Sequence, residues 1–143
     1  MATRFDIEAM IRGMQEEIRK KQIASGQMTL GAFITALESM PREMPVRFDV
    51  GSIPGKPDSY RGYYEQLAFS YDGTPGETVG GVLVSAQGAM GRGFTGYKGG
   101  DYIMHENTLV WGGSYGTSSD GRKIMAIECD GECAVIRTAE DEF

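Results

Sequence analysis

From Phe5 to Ile23 the apolar residues Ile7, Ile11, Met14 and Ile18 recur at spacings of four, three and four. That rhythm puts them on one stripe of a helix. Asp6 and Glu8 lie near its start and Arg19, Lys20 and Lys21 near its end, as the helix dipole favours. Ser25-Gly26 supplies a stop. The stripe either packs on its own domain or forms a short heptad-like seam between copies. Residues 1–27 are therefore expected to be an N-terminal amphipathic helix, ahead of a single α+β domain over 28–138 and an acidic tail over 139–143.

A second helix is predicted from Leu30 to about Ser39, capped by Thr29 and barred from continuing by Pro41 and Pro45. Val46-Arg47-Phe48-Asp49-Val50 alternates with period two and reads as a half-buried strand. Residues 51–59 hold two prolines and two glycines, the composition of a loop. Tyr60 to Tyr71 reads as the next strand, firmest from Gln66, and Asp72-Gly73-Thr74-Pro75-Gly76 as a turn.

The pattern then starts again. Thr29-Leu30-Gly31-Ala32-Phe33-Ile34 is echoed forty-nine residues on by Thr78-Val79-Gly80-Gly81-Val82-Leu83. A helix from Val79 to about Met90 is predicted, and Leu109 to Ser114 loosely echoes Val46 to Ser52. A turn at Ser119-Asp120-Gly121 leads to a strand from Lys123 to Cys129 and a short one at Ala134 to Arg137. The expected fold class is α+β, with one antiparallel sheet of about four to five strands and helices on one face. It would be built from two helix–strand–strand units, with Gly91 to Glu106 inserted in the second.

Composition narrows the class. Apolar residues make up 41% of the 143, enough to fill one core and to exclude a disordered chain. No apolar run approaches the roughly 18 residues of a membrane span, and the charged N-terminal stretch does not read as a secretory signal. Cys129 and Cys133 are too few for a disulfide scaffold, so a reducing cytosol is expected. A formal charge of −6 disfavours direct DNA binding and an anionic membrane. Residues 128–143 carry −5, whereas 51–64 and 88–105 are each +1, the locally cationic spots of an acidic protein.

Catalytic and metal residues are not apparent. His105 stands alone, no Gly-x-Ser-x-Gly elbow is present, and Gly91-Arg92-Gly93-Phe94-Thr95-Gly96 follows a predicted helix instead of a strand, which removes it from the dinucleotide-binding pattern. Cys129 and Cys133 with His105 fall short of the four ligands of a closed zinc site. No cofactor is expected. What stands out are two aromatic, glycine-bearing stretches with a cation each. The first contributes Tyr60, Arg61, Tyr63 and Tyr64, and the second Phe94, Tyr97, Lys98, Asp101 and Tyr102, followed by Trp111. Rings stack on planar heterocycles, Arg61 and Lys98 suit a phosphate, and Asp101 suits a ribose hydroxyl or base amine. That is the equipment of a nucleotide pocket. Ordinary strand tyrosines and surface packing account for the same letters.

The strings Met28-Thr29-Leu30-Gly31, Ser59-Tyr60-Arg61-Gly62-Tyr63-Tyr64, Gly96-Tyr97-Lys98-Gly99-Gly100-Asp101-Tyr102 and Val110-Trp111 resemble those of small, largely uncharacterised proteins of bacteriophages and other mobile elements. The likeness covers about residues 28–115. It implies a protein acting in the host bacterial cytoplasm, where small phage proteins without catalytic equipment often counter host defence. On that footing the chain is expected to be a non-enzymatic binding protein, a homo-oligomer that sequesters a small anionic nucleotide-like ligand. The alternative is a protein–protein inhibitor of a defence enzyme, using its aromatic residues and acidic tail. A nucleotide hydrolase using Asp101 or Glu106 with an added metal is the third reading.

Overall fold

The computed structural model describes residues 26–59, 66–95, 101–113 and 121–140. The helix expected over residues 5–23 and residues 141–143 lie outside them. Among the described residues, two helices form where threonine caps them. In α1 (Leu30–Glu38) the Thr29 hydroxyl accepts from the Ala32 N–H at 3.2 Å. In α2 (Val79–Ala89) the Thr78 hydroxyl accepts from the Gly81 N–H at 3.2 Å. Each cap satisfies one N–H that a helix start would otherwise leave unpaired.

Among the described residues, eight strands follow the alternating and turn-bounded segments: β1 (Val46–Phe48), β2 (Pro57–Ser59), β3 (Leu67–Phe69), β4 (Gly93–Thr95), β5 (Asp101–Ile103), β6 (Val110–Gly112), β7 (Arg122–Cys129) and β8 (Ala134–Glu140). Six of them form one sheet in the order β1-β8-β7-β6-β3-β2, and β4 pairs with β5 in a separate hairpin. The β1–β8 and β3–β6 pairs are parallel, and the other pairs are antiparallel.

This corrects the expected sheet. It has six strands and mixed pairing, curled into a half-barrel, instead of four or five antiparallel strands. Two physical reasons account for the difference. β2 lies inside the Pro- and Gly-rich stretch that reads as loop, where Pro57 gives no N–H to betray a ladder. The expectation of antiparallel pairing also fails where β1 pairs with β8 and β3 with β6, across helical or long connections that parallel pairing requires. A bulge in β7 between Ile124 and Ala126 adds local twist to the curl.

The sequence echo has a counterpart in backbone hydrogen bonds. Leu30 N–H donates to Thr108 and Gly31 N–H to Glu106, while Val79 N–H donates to Met44 and Gly80 N–H to Arg42. Leu67 N–H meets the Leu109 carbonyl as Ala134 N–H meets that of Pro45. Gly113 N–H meets Phe69 as Asp49 N–H meets Ile136. Each repeat is thus a helix and three strands, not two. The repeats exchange partners, so the helix of one caps against the strand lead-in of the other.

The core lies between the helices and one face of this sheet. Phe33, Leu37, Leu83 and Ala86 from the helices meet Phe48, Leu67, Phe69, Val110, Ile124 and Ile136, all at most 1% exposed. The Phe33 and Phe69 rings sit 5.2 Å apart and tie α1 to β3. No helix among the described residues is long and apolar enough to cross a membrane.

One polar tie closes the first repeat onto β8. Asp49 accepts from the Thr138 N–H at 2.9 Å and from its hydroxyl at 2.6 Å, and the same hydroxyl accepts from Arg122 Nε at 2.7 Å. Burial pushes the Asp49 carboxyl up, but the two Thr138 bonds, aided by the Arg122 and Arg137 guanidiniums, outweigh it and hold the pKa below the usual carboxylate value. A depressed folded pKa stabilises the fold above the unfolded value, near 3.9, and that contribution is lost as pH falls through the folded value. Asp49→Asn is therefore expected to cost about 1 kcal/mol at neutral pH, discounted for solvent screening. In urea melts at several pH values, its deficit against the parent should shrink below about pH 4.

Candidate functional site

Alternation along the strands divides the sheet into two faces. In β3, Leu67 and Phe69 enter the core, while Ala68 packs instead with Trp111 of β6 in a small cluster of its own. Ala68 is the register partner of both Asp58 and Trp111, and Ser70 and Gly113 follow on the same parity. This second face opens beside the β2 edge into a cavity of about 570 Å³, within the range of small-molecule sites.

Its walls come from four places. Residues 54–58 supply Pro54, Gly55, Lys56 and Asp58; the sheet supplies Ala68, Ser70 and Gly113. The turn after β3 supplies Asp72, Gly73, Thr74 and Glu77, and α2 supplies Ser85. Two loops are locked together to make the floor. Gly55 N–H donates to Ser70 at 2.8 Å, Gly73 N–H to Ile53 at 3.0 Å, and Ser70 N–H to Lys56 at 3.3 Å. The approach is close at both crossings. A Cβ on Gly73 would overlap the Pro54 carbonyl oxygen and stand 2.6 Å from its carbon. One on Gly55 would overlap Ser70 Oγ and lie 2.7 Å from Asp72 Oδ1.

The polar atoms of the walls are only partly spent. Ser70 Oγ donates to Asp72 Oδ1, and Glu77 Oε1 accepts from the Thr78 N–H at 2.9 Å at the start of α2, where the helix dipole favours an anion. Among the described residues, the second oxygens of Asp72 and Glu77 and the hydroxyls of Thr74 and Ser85 have no protein partner. Three carboxylates and one ammonium give the lining a formal charge of −2. The described residues contain no group of three His, Cys, Asp or Glu placed to hold a metal ion.

The residues expected from the sequence fall in three groups. Tyr60, Arg61, Tyr63, Tyr64, Tyr97 and Lys98 lie outside the described residues. Phe94 stands on β4, and Asp101 and Tyr102 on β5, with Phe94 in register with Tyr102 and Thr95 with Asp101. β2 contacts β4, so the strand that leads into the first aromatic stretch lies beside the hairpin that carries the second. Trp111 is 1% exposed, and its indole N–H donates to Gln66 Oε1 at 2.6 Å. It is not on the cavity lining, but Ala68, on which it packs, is.

Sequence reasoning passed over Lys56, Ser70, Asp72, Thr74, Glu77, Ser85 and Gly113. The readable signal is a pair of Gly-containing turns, Pro54-Gly55 and Asp72-Gly73, which are the crossing points of the two loops. No protein-family model, no curated protein and no solved structure matches this chain.

Proposed function

We infer that this chain is a binding protein that encloses a small, nucleoside-like ligand in the cavity beside β2. The observation that carries the reading is a concave site with unspent acceptors and hydroxyls, floored by two loops that are fixed to one another before any ligand arrives. Preformed polar walls avoid the ordering cost that a flexible site would incur on binding. The neighbouring β2 and β4–β5 lead into the tyrosine-bearing stretches, which would add stacking surface for a planar base. The likeness to phage-encoded proteins supports sequestration of a host signalling molecule as the setting for such binding.

An anionic group on the ligand is less well served by the described walls. Lys56 is their one cation, against Asp58, Asp72 and Glu77. A phosphate charge about 6 Å from a carboxylate costs about 3 kcal/mol at an effective dielectric of ~20. Recognition of phosphate would thus fall to Arg61 and Lys98, which lie outside the described residues.

Isothermal titration against cyclic dinucleotides, cyclic trinucleotides, cyclic ADP-ribose isomers and their parent nucleosides tests the reading. Saturable one-site heat with at least one of them is expected, weakened tenfold or more by Asp72→Asn. Absence of heat across the panel removes the proposal.

A further inference from the structure

Resting on that reading, we propose that the cavity recognises its ligand by a vicinal diol of a ribose ring and not by a phosphate. Two independent observations lead there.

The first is the donor and acceptor balance of the walls. Asp72 and Glu77 each commit one oxygen within the protein and present a second that can only accept. Thr74 and Ser85 both donate and accept. A phosphate offers acceptors alone, so it would face these carboxylates without a proton between them. A vicinal diol supplies two donors at the spacing of one carboxylate and retains lone pairs for Lys56, Thr74 and Ser85. An ammonium would suit the net negative lining, so spermidine enters the test as the competing chemistry.

The second is the internal repeat. Gly113 and Asp49 hold the same place in their repeats: each donates its N–H to a strand carbonyl, that of Phe69 or of Ile136. In the first repeat the Asp49 side chain turns onto Thr138 and is spent within the protein. In the second repeat residue 113 has no side chain, and the cavity opens there. Of these two equivalent positions, one therefore carries a carboxylate bonded within the protein, and the other carries no side chain and borders the cavity. Gly113→Asp puts the carboxylate of the other repeat at the cavity wall.

The test titrates the full chain with adenosine, guanosine, cytidine and uridine, their 2′,3′-dideoxy forms, their 5′-monophosphates, inorganic phosphate and spermidine. Binding is read by calorimetry and by fluorescence of Trp111, the single tryptophan, which packs on the wall residue Ala68. At least one ribonucleoside is expected to bind tenfold or more tighter than its dideoxy form, and no weaker than its monophosphate. Gly113→Asp should lose this binding while keeping the parent's circular dichroism and cooperative melt. Should that variant unfold, Ser85→Ala serves instead, with an expected loss of about fivefold in affinity. Equal affinity for ribo and dideoxy forms, displacement by inorganic phosphate, or selective uptake of spermidine overturns the diol proposal while leaving the cavity as a binding site. Silence across every probe overturns both.

Discussion

Phe69→Ala is expected to lower the stability of this protein by about 3–5 kcal/mol, the largest effect of any single change considered. The ring is fully buried, lies 5.2 Å from that of Phe33, and anchors β3 under α1. Truncation leaves a void among residues that backbone pairing holds on both sides, with β2 antiparallel and β6 parallel to β3. Little collapse is available to fill it. Native domains of this size have about 5–15 kcal/mol in total, so the variant should melt roughly 10 °C or more below the parent. Phe69→Leu, which keeps most of the volume, should lose under half as much. Chemical denaturation with an unchanged slope would attribute the difference to the folded core. A loss under 1 kcal/mol for the alanine variant would mean that the β3–α1 contact is not part of the core.

The second large effect is at the crossing of the two cavity loops. Gly73→Ala drives a methyl into the Pro54 carbonyl, a backbone group held by a residue whose φ is fixed by its ring. Something must shift, and the cost expected of such overpacking is about 1–3 kcal/mol. Gly55→Ala meets mainly the side chains of Ser70 and Asp72, which can rotate away. It should cost less in stability and yet disturb the pair of residues that shapes the wall. The order of the two variants in a thermal melt therefore reverses if the obstruction at Gly73 is not backbone.

Much of the local structure is legible in the chain. Thr29 and Thr78 announce their helices because a hydroxyl ahead of an apolar run satisfies an otherwise unpaired N–H. The core alternation of Val46 and Phe48, and of Leu67 and Phe69, can be read as strands for the same elementary reason. Partner choice is different in kind. Nothing local in Val46–Phe48 says that it lies parallel to Ala134–Ile136, because that register arises from two repeats exchanging strands at long sequence separation. β2 was hidden by Pro57 at the sheet edge, where a missing donor costs the ladder nothing.

The site divides along the same line. Aromatic residues draw the eye because their chemistry is conspicuous in isolation, and Trp111 proves to be a buried member of the sheet with its N–H spent on Gln66. The cavity walls are ordinary residues, such as Ser70, Thr74 and Ser85, that gain meaning only when separate segments of the chain meet. Gly113 is the extreme case, since what it contributes is the absence of the side chain that Asp49 places in the other repeat.

The claim that this cavity holds a ligand is tested most directly by native mass spectrometry of the parent and of Gly113→Asp, each purified side by side from the same expressing cells. The parent should carry a stoichiometric small-molecule adduct whose fragments include a pentose, and the folded variant should emerge without it. An adduct retained equally by both proteins would contradict the assignment of the cavity as its seat.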